Sequence, residues 1–221
     1  SGAEEVIYTR STIIVNASGG GDYTHIQWAI DNASEGDKIF VEAGTYYENI
    51  VINKSITLSG ESIGATTIMG EGRIITIFSN YVNVTGFNVT GSLIPFEGIG
   101  IYLENVNHCN ISWNNCSNNS YCGIALRNVS NTVVSNNICD SEGTGDDYYG
   151  YTTGIGIFLN ESTSNQITQN TCSNNTWSGI VFNNTNNSLI SENICIDNGG
   201  WPTKVNVPTH EEEFGTGIYL V

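Results

Sequence analysis

Gly100-Ile101-Tyr102-Leu103, Gly123-Ile124-Ala125-Leu126, Gly156-Ile157-Phe158-Leu159, Gly179-Ile180-Val181-Phe182 and Gly217-Ile218-Tyr219-Leu220 are five versions of one segment. Downstream of the first four, three more residue types recur in step. Eleven residues after each glycine stand Ile111, Val134, Ile167 and Ile190; fourteen after stand Asn114, Asn137, Asn170 and Asn193; sixteen after stand Cys116, Cys139, Cys172 and Cys195. Short β-branched runs broken by Asn, Gly and Ser at such a period mark a solenoid whose coils stack equivalent residues. No stretch carries the 3.6-residue apolar period of a helical solenoid. The expected fold class is all-β, a single-stranded right-handed parallel β-helix with two or three strands per coil and coils about 4.8 Å apart.

Side chains alternate along a strand, so in Gly-Ile-x-Leu-x the Ile and Leu are expected to fill the bore while the residues between them face solvent. The cysteine column reads as an interior ladder of small apolar side chains. Parallel Cβ vectors on adjacent strands do not suit a disulfide. Cys109 and Cys122 lie off the ladder, in or near turns, and suit a bridge better than the column does, with the bridge itself left open. No Cys-x-x-Cys or His-x-x-x-His spacing points to zinc. The asparagine column is expected to stack at a turn and satisfy backbone groups there.

A net charge of −16, from 22 acidic and 6 basic residues, argues against nucleic acid as partner. No apolar run approaches the roughly 20 residues that span a bilayer, so no membrane insertion is expected. Thirteen Asn-x-Ser/Thr sequons occur, at Asn16, Asn32, Asn53, Asn83, Asn88, Asn110, Asn115, Asn118, Asn128, Asn160, Asn174, Asn183 and Asn186. That is about twice the number composition predicts, and sequons carry meaning only in a secreted chain. The expected location is extracellular or at the cell surface.

Residues 1–37 read as a strand, a glycine turn and a short helix, with Ile26, Ala29, Ile30 and Ala33 at helical spacing and Thr24 with Gln27 as a capping-box pair. Such a helix can close the open end of the solenoid. Residues 38–221 then form the β-helix in the same single domain, irregular at first and regular later. The last coil has no visible cap after Val221, so the chain is expected to be a fragment of a longer protein or to pair with another chain there.

Gly-Asp-Tyr-Thr-His-Ile-Gln-Trp-Ala-Ile-Asp (21–31), Gly-Asp-Lys-Ile-Phe-Val-Glu-Ala-Gly-Thr-Tyr-Tyr-Glu-Asn-Ile (36–50) and Ile-Thr-Leu-Ser-Gly-Glu (56–61) resemble the opening of the pectin-lyase-like superfamily. The later repeats resemble carbohydrate-binding and sugar-hydrolase β-helix repeats, including NosD-like surface and periplasmic proteins. The sequon load looks like that of archaeal envelope proteins, among which polysaccharide-depolymerising disaggregatases offer the enzymatic analogy. The resemblance covers nearly the whole chain and implies the fold. It implies little about activity, because that fold carries lyases, esterases, hydrolases and non-catalytic adhesins. The Gln-Asp and Asp-Phe-Ile motifs of pectin methylesterases are absent.

On the outward positions of the repeated strand stand Tyr102 and Glu104, Ala125 and Arg127, Phe158 and Asn160, Val181 and Asn183, then Tyr219. Glu104 and Arg127 are the groups there able to do acid, base or electrostatic work, and a plain surface ion pair is the bland alternative. The glycine-to-glycine spacing is 23 for two coils but 33 after Gly123 and 38 after Gly179, so two insertions fall after the ladder cysteine. Such insertions usually build a solenoid's binding face. One holds Asp146, Asp147, Tyr148 and Tyr149; the other holds Trp201, His210 and Glu211-Glu212-Glu213. Aromatics with carboxylates suit sugar recognition.

The candidate catalytic groups are therefore Arg127, Glu104, Asp146, Asp147 and His210. The candidate substrate-binding groups are Tyr102, Phe158, Tyr148, Tyr149, Trp201 and Tyr219. No cofactor is required by the pattern, although the acidic runs offer the oxygens that Ca2+ takes. The expected function is polysaccharide cleavage, by a lyase or a glycoside hydrolase. A glycan-binding envelope or adhesin module and a structural spacer are the alternatives.

Overall fold

Each strand pairs in parallel with its equivalent one coil away, which winds the chain into a β-solenoid of about 7 turns. The structure, a computed structural model, describes residues 12–94, 97–143, 154–199 and the strand at 218–220. Strand β1 (Thr12–Val15) precedes helix α1 (Ile26–Asn32), and β2 (Lys38–Val41), β3 (Gly44–Tyr47) and β4 (Ile50–Ile52) complete a three-strand coil. The next coils use β5 (Thr57–Gly60), β6 (Thr66–Met69) and β7 (Arg73–Ile77), then β8 (Asn83–Thr85), β9 (Asn88–Thr90) and the longer β10 (Ile99–Glu104). From there a short and a long strand alternate: β11 (Asn110–Ser112) and β12 (Cys122–Arg127), β13 (Val133–Ser135) and β14 (Ile155–Asn160), β15 (Gln166–Thr168) and β16 (Ser178–Asn183), β17 (Leu189–Ser191) and β18 (Ile218–Leu220). In these later coils the third strand shrinks to one bridging residue, Asn115, Ile138, Thr171 or Ile194. Strands β4, β7, β10, β12, β14, β16 and β18 make the long-strand sheet, and β1, β2, β5, β8, β11, β13, β15 and β17 a second sheet.

Register turns the sequence repeat into interior columns. Ile50, Ile75, Ile101, Ile124, Ile157 and Ile180 follow one another up the long-strand sheet. Ile39, Leu58, Val84, Ile111, Val134 and Ile167 do so up the second sheet. All twelve are fully buried, each stabilising the fold by about 1.5–3 kcal/mol relative to exposure. Tyr46, Ile68 and Val89 begin a third column, which Cys116, Cys139 and Cys172 continue as buried free thiols. The repeat's glycine is a steric requirement: a Cβ on Gly123 would lie 2.8 Å from Gly156 O and 2.9 Å from the Cys139 Cβ.

Every regular coil turns at four left-handed residues, placed 5, 8, 13 and 18 positions after its glycine; in the first coil these are Asn105, His108, Trp113 and Asn118. Eight of the sixteen such residues are asparagine, the non-glycine type that tolerates this conformation best. Beside these corners run amide ladders. The Asn114 backbone N–H donates to Asn137 Oδ1 at 3.0 Å, Asn137 to Asn170 Oδ1 at 3.0 Å and Asn170 to Asn193 Oδ1 at 2.9 Å. Their Nδ2 groups donate to carbonyls one coil down, such as Asn137 to Ile111 O at 2.8 Å. The expected stack is thus present, and a second lies 19 residues after each glycine: Asn119, Glu142, Asn175 and Asn198. Glu142 stands in an asparagine's place there. Its Oε2 accepts from Asn119 N–H at 2.7 Å, but its Oε1 is buried without a partner among the described residues.

Three expectations need correction. Helix α1 is not capped by Thr24 and Gln27: its first N–H groups donate to the Glu48 carboxylate at 2.9 and 3.0 Å, and Gln27 instead bonds the backbone of Val51. Lys54 Nζ closes the other end on the carbonyls of Ile30, Asp31 and Ala33. Ile26, Ala29 and Ile30 do enter the core, as the spacing implied. Cys109 and Cys122 do not bridge, because they lie in different layers. Cys109 packs in the bore and donates its N–H to Thr132 Oγ1, whereas Cys122 packs outside the long-strand sheet. Finally, the residues between Ile and Leu are not simply solvent-facing: Tyr102, Ala125 and Val181 are buried in a second apolar cluster.

Asn137→Ala removes an acceptor for Asn114 and two donated bonds from a buried site. It is expected to lower the unfolding free energy by about 2–4 kcal/mol in urea titration, each orphaned buried group costing about 1–3 kcal/mol. For Glu142, burial is the main cause that holds the carboxyl well above its usual pKa, so the folded state keeps the proton that the unfolded state loses. The stability contributed by Glu142 is then fully present below its usual pKa of about 4.5 and is lost as pH rises through the folded-state pKa. Glu142→Gln is expected to be more stable than the parent at pH 7, with the difference vanishing in denaturation at about pH 4.

Candidate functional site

The outer face of the long-strand sheet carries the column Val51, Thr76, Tyr102, Ala125, Phe158 and Val181. Ile99, Cys122, Ile155, Tyr121 and Trp177 pack around its upper part. In this layer lies a groove of about 380 Å3 lined by Arg73, Glu97, Ile99, Tyr102, Tyr121, Ala125, Leu126, Arg127, Phe158 and Asn160. Tyr102 and Phe158 stand two strands apart, roughly 10 Å at about 4.8 Å per strand, with only the methyl of Ala125 between them. The result is a slot with aromatic walls and a shallow floor.

Four of the sequence candidates meet here, with Tyr102, Arg127 and Phe158 lining the groove and Glu104 joined to Arg127 beside it. Glu104 and Arg127 are direct partners on adjacent strands, and their side chains form an ion pair at 3.6 Å. Tyr102 stands two residues before Glu104 on the same outward face of β10. Its pKa is raised, first by burial and then by Glu104, against the opposing pull of Arg73 and Arg127, so the phenol keeps its proton at neutral pH. Burial raises Tyr121 in the same way. Phe158 lines the slot, with Asn160 beyond it.

Arg73, which the repeat pattern did not single out, completes the arrangement. Its guanidinium carbon sits 3.8 Å from the centroid of the Tyr102 ring, a cation–π contact worth about 0.5–1 kcal/mol at an exposed site. Arg73 and Ile99 are register neighbours, so the strand β7 places it at the groove mouth. It has no carboxylate partner among the described residues, where Arg127 with Glu104 is the one ion pair. Of the basic groups described, Lys54 is spent on the helix end and Lys38 lies over Phe40, while both arginines line the groove. Asp146, Asp147, His210, Tyr148, Tyr149 and Trp201, together with the acidic runs considered for Ca2+, lie outside the described residues. Tyr219 is placed on β18 in register with Val181, and its side chain lies outside them too.

Comparison with known proteins gives the arrangement a context. A family model described as periplasmic copper-binding protein (NosD) matches residues 30–210. A cell surface glycoprotein of Methanothermus fervidus is 35% identical over 181 residues, which is 80% of this chain and 26% of that protein. The chain therefore spans about a quarter of the length of this relative. Among solved structures, an alginate lyase from Paenibacillus superposes with a TM-score of 0.56 at 19% identity, covering 83% of this chain and 76% of the lyase. The catalytic domain of a GH87 α-1,3-glucanase gives a TM-score of 0.57 at 15% identity, covering 85% and 38%. At those identities the two structures share the fold.

Copper does not fit the residues described. Among the soft donors described, the ladder thiols Cys116, Cys139 and Cys172 are sealed in the bore. Among the described residues no group of three or more His, Cys, Asp or Glu side chains could hold a metal ion. Nor is any described helix long and apolar enough to cross a membrane.

The Arg127–Glu104 pair is 58% and 24% exposed, so water screens it. Glu104→Gln and Arg127→Gln are each expected to change the unfolding free energy by less than about 1 kcal/mol, as read by urea titration. A larger loss would mean that the pair holds the sheet together rather than serving the groove.

Proposed function

The chain belongs to the NosD family of β-helix proteins, and we propose that it is an envelope or cell-surface protein whose outer long-strand face binds and cleaves a polysaccharide. The observation that carries this reading is the slot between Tyr102 and Phe158, edged by Arg73 and Arg127. A sugar ring can stack against such aromatic walls while charged groups at the rim hold its substituents. The fold likeness to an alginate lyase and an α-1,3-glucanase supports the same direction.

In this proposal Tyr102 is the proton-transfer group. Its protonated hydroxyl can donate to the leaving glycosidic oxygen as the C–O bond breaks, while Glu104 takes the proton given up by the attacking water or, on a lyase route, by the carbon next to the uronate carboxylate. Arg73, held on the ring and without a carboxylate of its own among the described residues, contacts the substrate's negative charge as it develops. Glu97, on the groove wall, is the second carboxylate that a hydrolytic route requires. One observation favours binding without cleavage: Glu104 is already engaged by Arg127, which holds its charge in place.

The test is incubation of the protein, with Ca2+ and with EDTA, against acidic and neutral envelope polysaccharides, tracking unsaturated-uronate absorbance and new reducing ends. Both signals together identify a lyase and reducing ends alone a hydrolase, and Tyr102→Phe should then lose about 100-fold in rate, the scale of general acid–base catalysis. Silence in both channels, with retardation in affinity gels that Arg73→Ala abolishes, leaves a binding module. Silence with no retardation on any polymer sinks the proposal.

A further inference from the structure

The thirteen sequons do not present equivalent asparagines. Asn16 is tied through both ends of its amide, to Glu42 and to Ser18. Asn115 Oδ1 accepts from Ser117 Oγ at 2.5 Å. Asn83 and Asn88 donate to Thr57 and Thr67 on neighbouring coils. Asn160 and Asn183 bond each other across adjacent strands at 2.8 Å, and Asn160 also lines the groove. A sugar on the nitrogen of Asn16, Asn83, Asn88 or Asn183 would crowd the neighbour that seats the amide, one on Asn160 would enter the slot, and Asn115 is held half-buried through its oxygen.

At Asn118 and Asn174 the reverse holds. Both are exposed, both occupy the left-handed corner 18 residues after the repeat's glycine (φ 64 and 58), and neither side-chain amide bonds another group among the described residues. The corner gives a physical reason. It turns the side chain out of the solenoid, while the next residue, Asn119 or Asn175, turns inward to carry the amide ladder. The hydroxyl residues of the two sequons differ: Ser120 is buried and donates its hydroxyl to Ile94 O, whereas Thr176 is exposed. Two coils separate the pair, about 10 Å along the axis. Asn53 and Asn186 are likewise exposed, with side-chain amides unengaged among the described residues.

We infer that Asn118 and Asn174 are the principal N-glycan attachment sites of this chain, with Asn53 and Asn186 as secondary sites, and that the groove-side pair Asn160 and Asn183 stays unmodified. The donor is a lipid-phosphate-linked oligosaccharide. The asparagine amide nitrogen attacks the sugar's anomeric carbon, a C–N bond forms, the C–O bond to phosphate breaks, the nitrogen loses a proton and the lipid phosphate leaves. The transfer adds sugar along one corner of the solenoid and leaves the slot between Tyr102 and Phe158 open.

The full chain would be secreted from cells whose oligosaccharyltransferase modifies Asn-x-Ser/Thr, and the folded fraction mapped by deglycosylation in 18O water with peptide mass spectrometry. Label is expected at Asn118 and Asn174 in most molecules. The double variant Asn118→Gln, Asn174→Gln should lose two glycans by mass with an unchanged thermal midpoint. Label at Asn16, Asn115, Asn160 or Asn183 in folded protein would overturn the inference. So would unmodified Asn118 and Asn174 while a co-expressed secreted glycoprotein is modified.

Discussion

The bond from one coil's amide to the next coil's backbone is the constraint on which the remaining structure depends. A solenoid corner breaks the strand ladder and strands N–H and C=O groups that a buried turn cannot leave unpaired. Asparagine answers both needs, since its oxygen accepts from an N–H of the preceding coil and its nitrogen donates to a carbonyl of that same coil. Because that exchange works only when equivalent residues lie directly over one another, it fixes the phase of the coils. The isoleucine columns, the thiol column and the outer face are all kept in register by it.

The outer face shows how one strand serves two environments. Leu103 and Leu126 go inward, and Tyr102 and Ala125 go outward from the same strands into a separate apolar layer. Burial there is what raises the Tyr102 phenol and lets an arginine rest on its ring. The groove is therefore a product of packing on top of the solenoid, drawn from four neighbouring strands, rather than of the bore.

The repeat phase was legible in the sequence because each column asks for the same chemistry in every coil. Where the chemistry changes, legibility fails even though spacing persists: Glu142 keeps the 19-residue offset of Asn119, Asn175 and Asn198 and hides that ladder by its identity. Period-two alternation tells which side of a strand a residue takes but not what lies over that side, so Tyr102 and Val181 read as exposed. Arg73 escaped notice because its coil lacks the Gly-Ile segment, and only the pairing of β7 with β10 brings it to the groove. The capping-box pattern at Thr24 yielded to a carboxylate from Glu48, a contact no local rule contains. Glu104, Arg127 and Tyr102 were legible as a group because they share adjacent outward positions of one repeat.

Four left-handed corners at fixed offsets also make the coil a unit of growth. A duplicated block of 23 residues, the glycine-to-glycine spacing of the shorter coils, would enter at any of these turns and present the same inward amides, thiol and bore residues to both neighbours. The molecule would lengthen by one rung of about 4.8 Å without disturbing the helix that closes its first end. Length in such a chain is quantised, and a surface built from it can be extended outward from a cell in equal steps while every existing contact is kept.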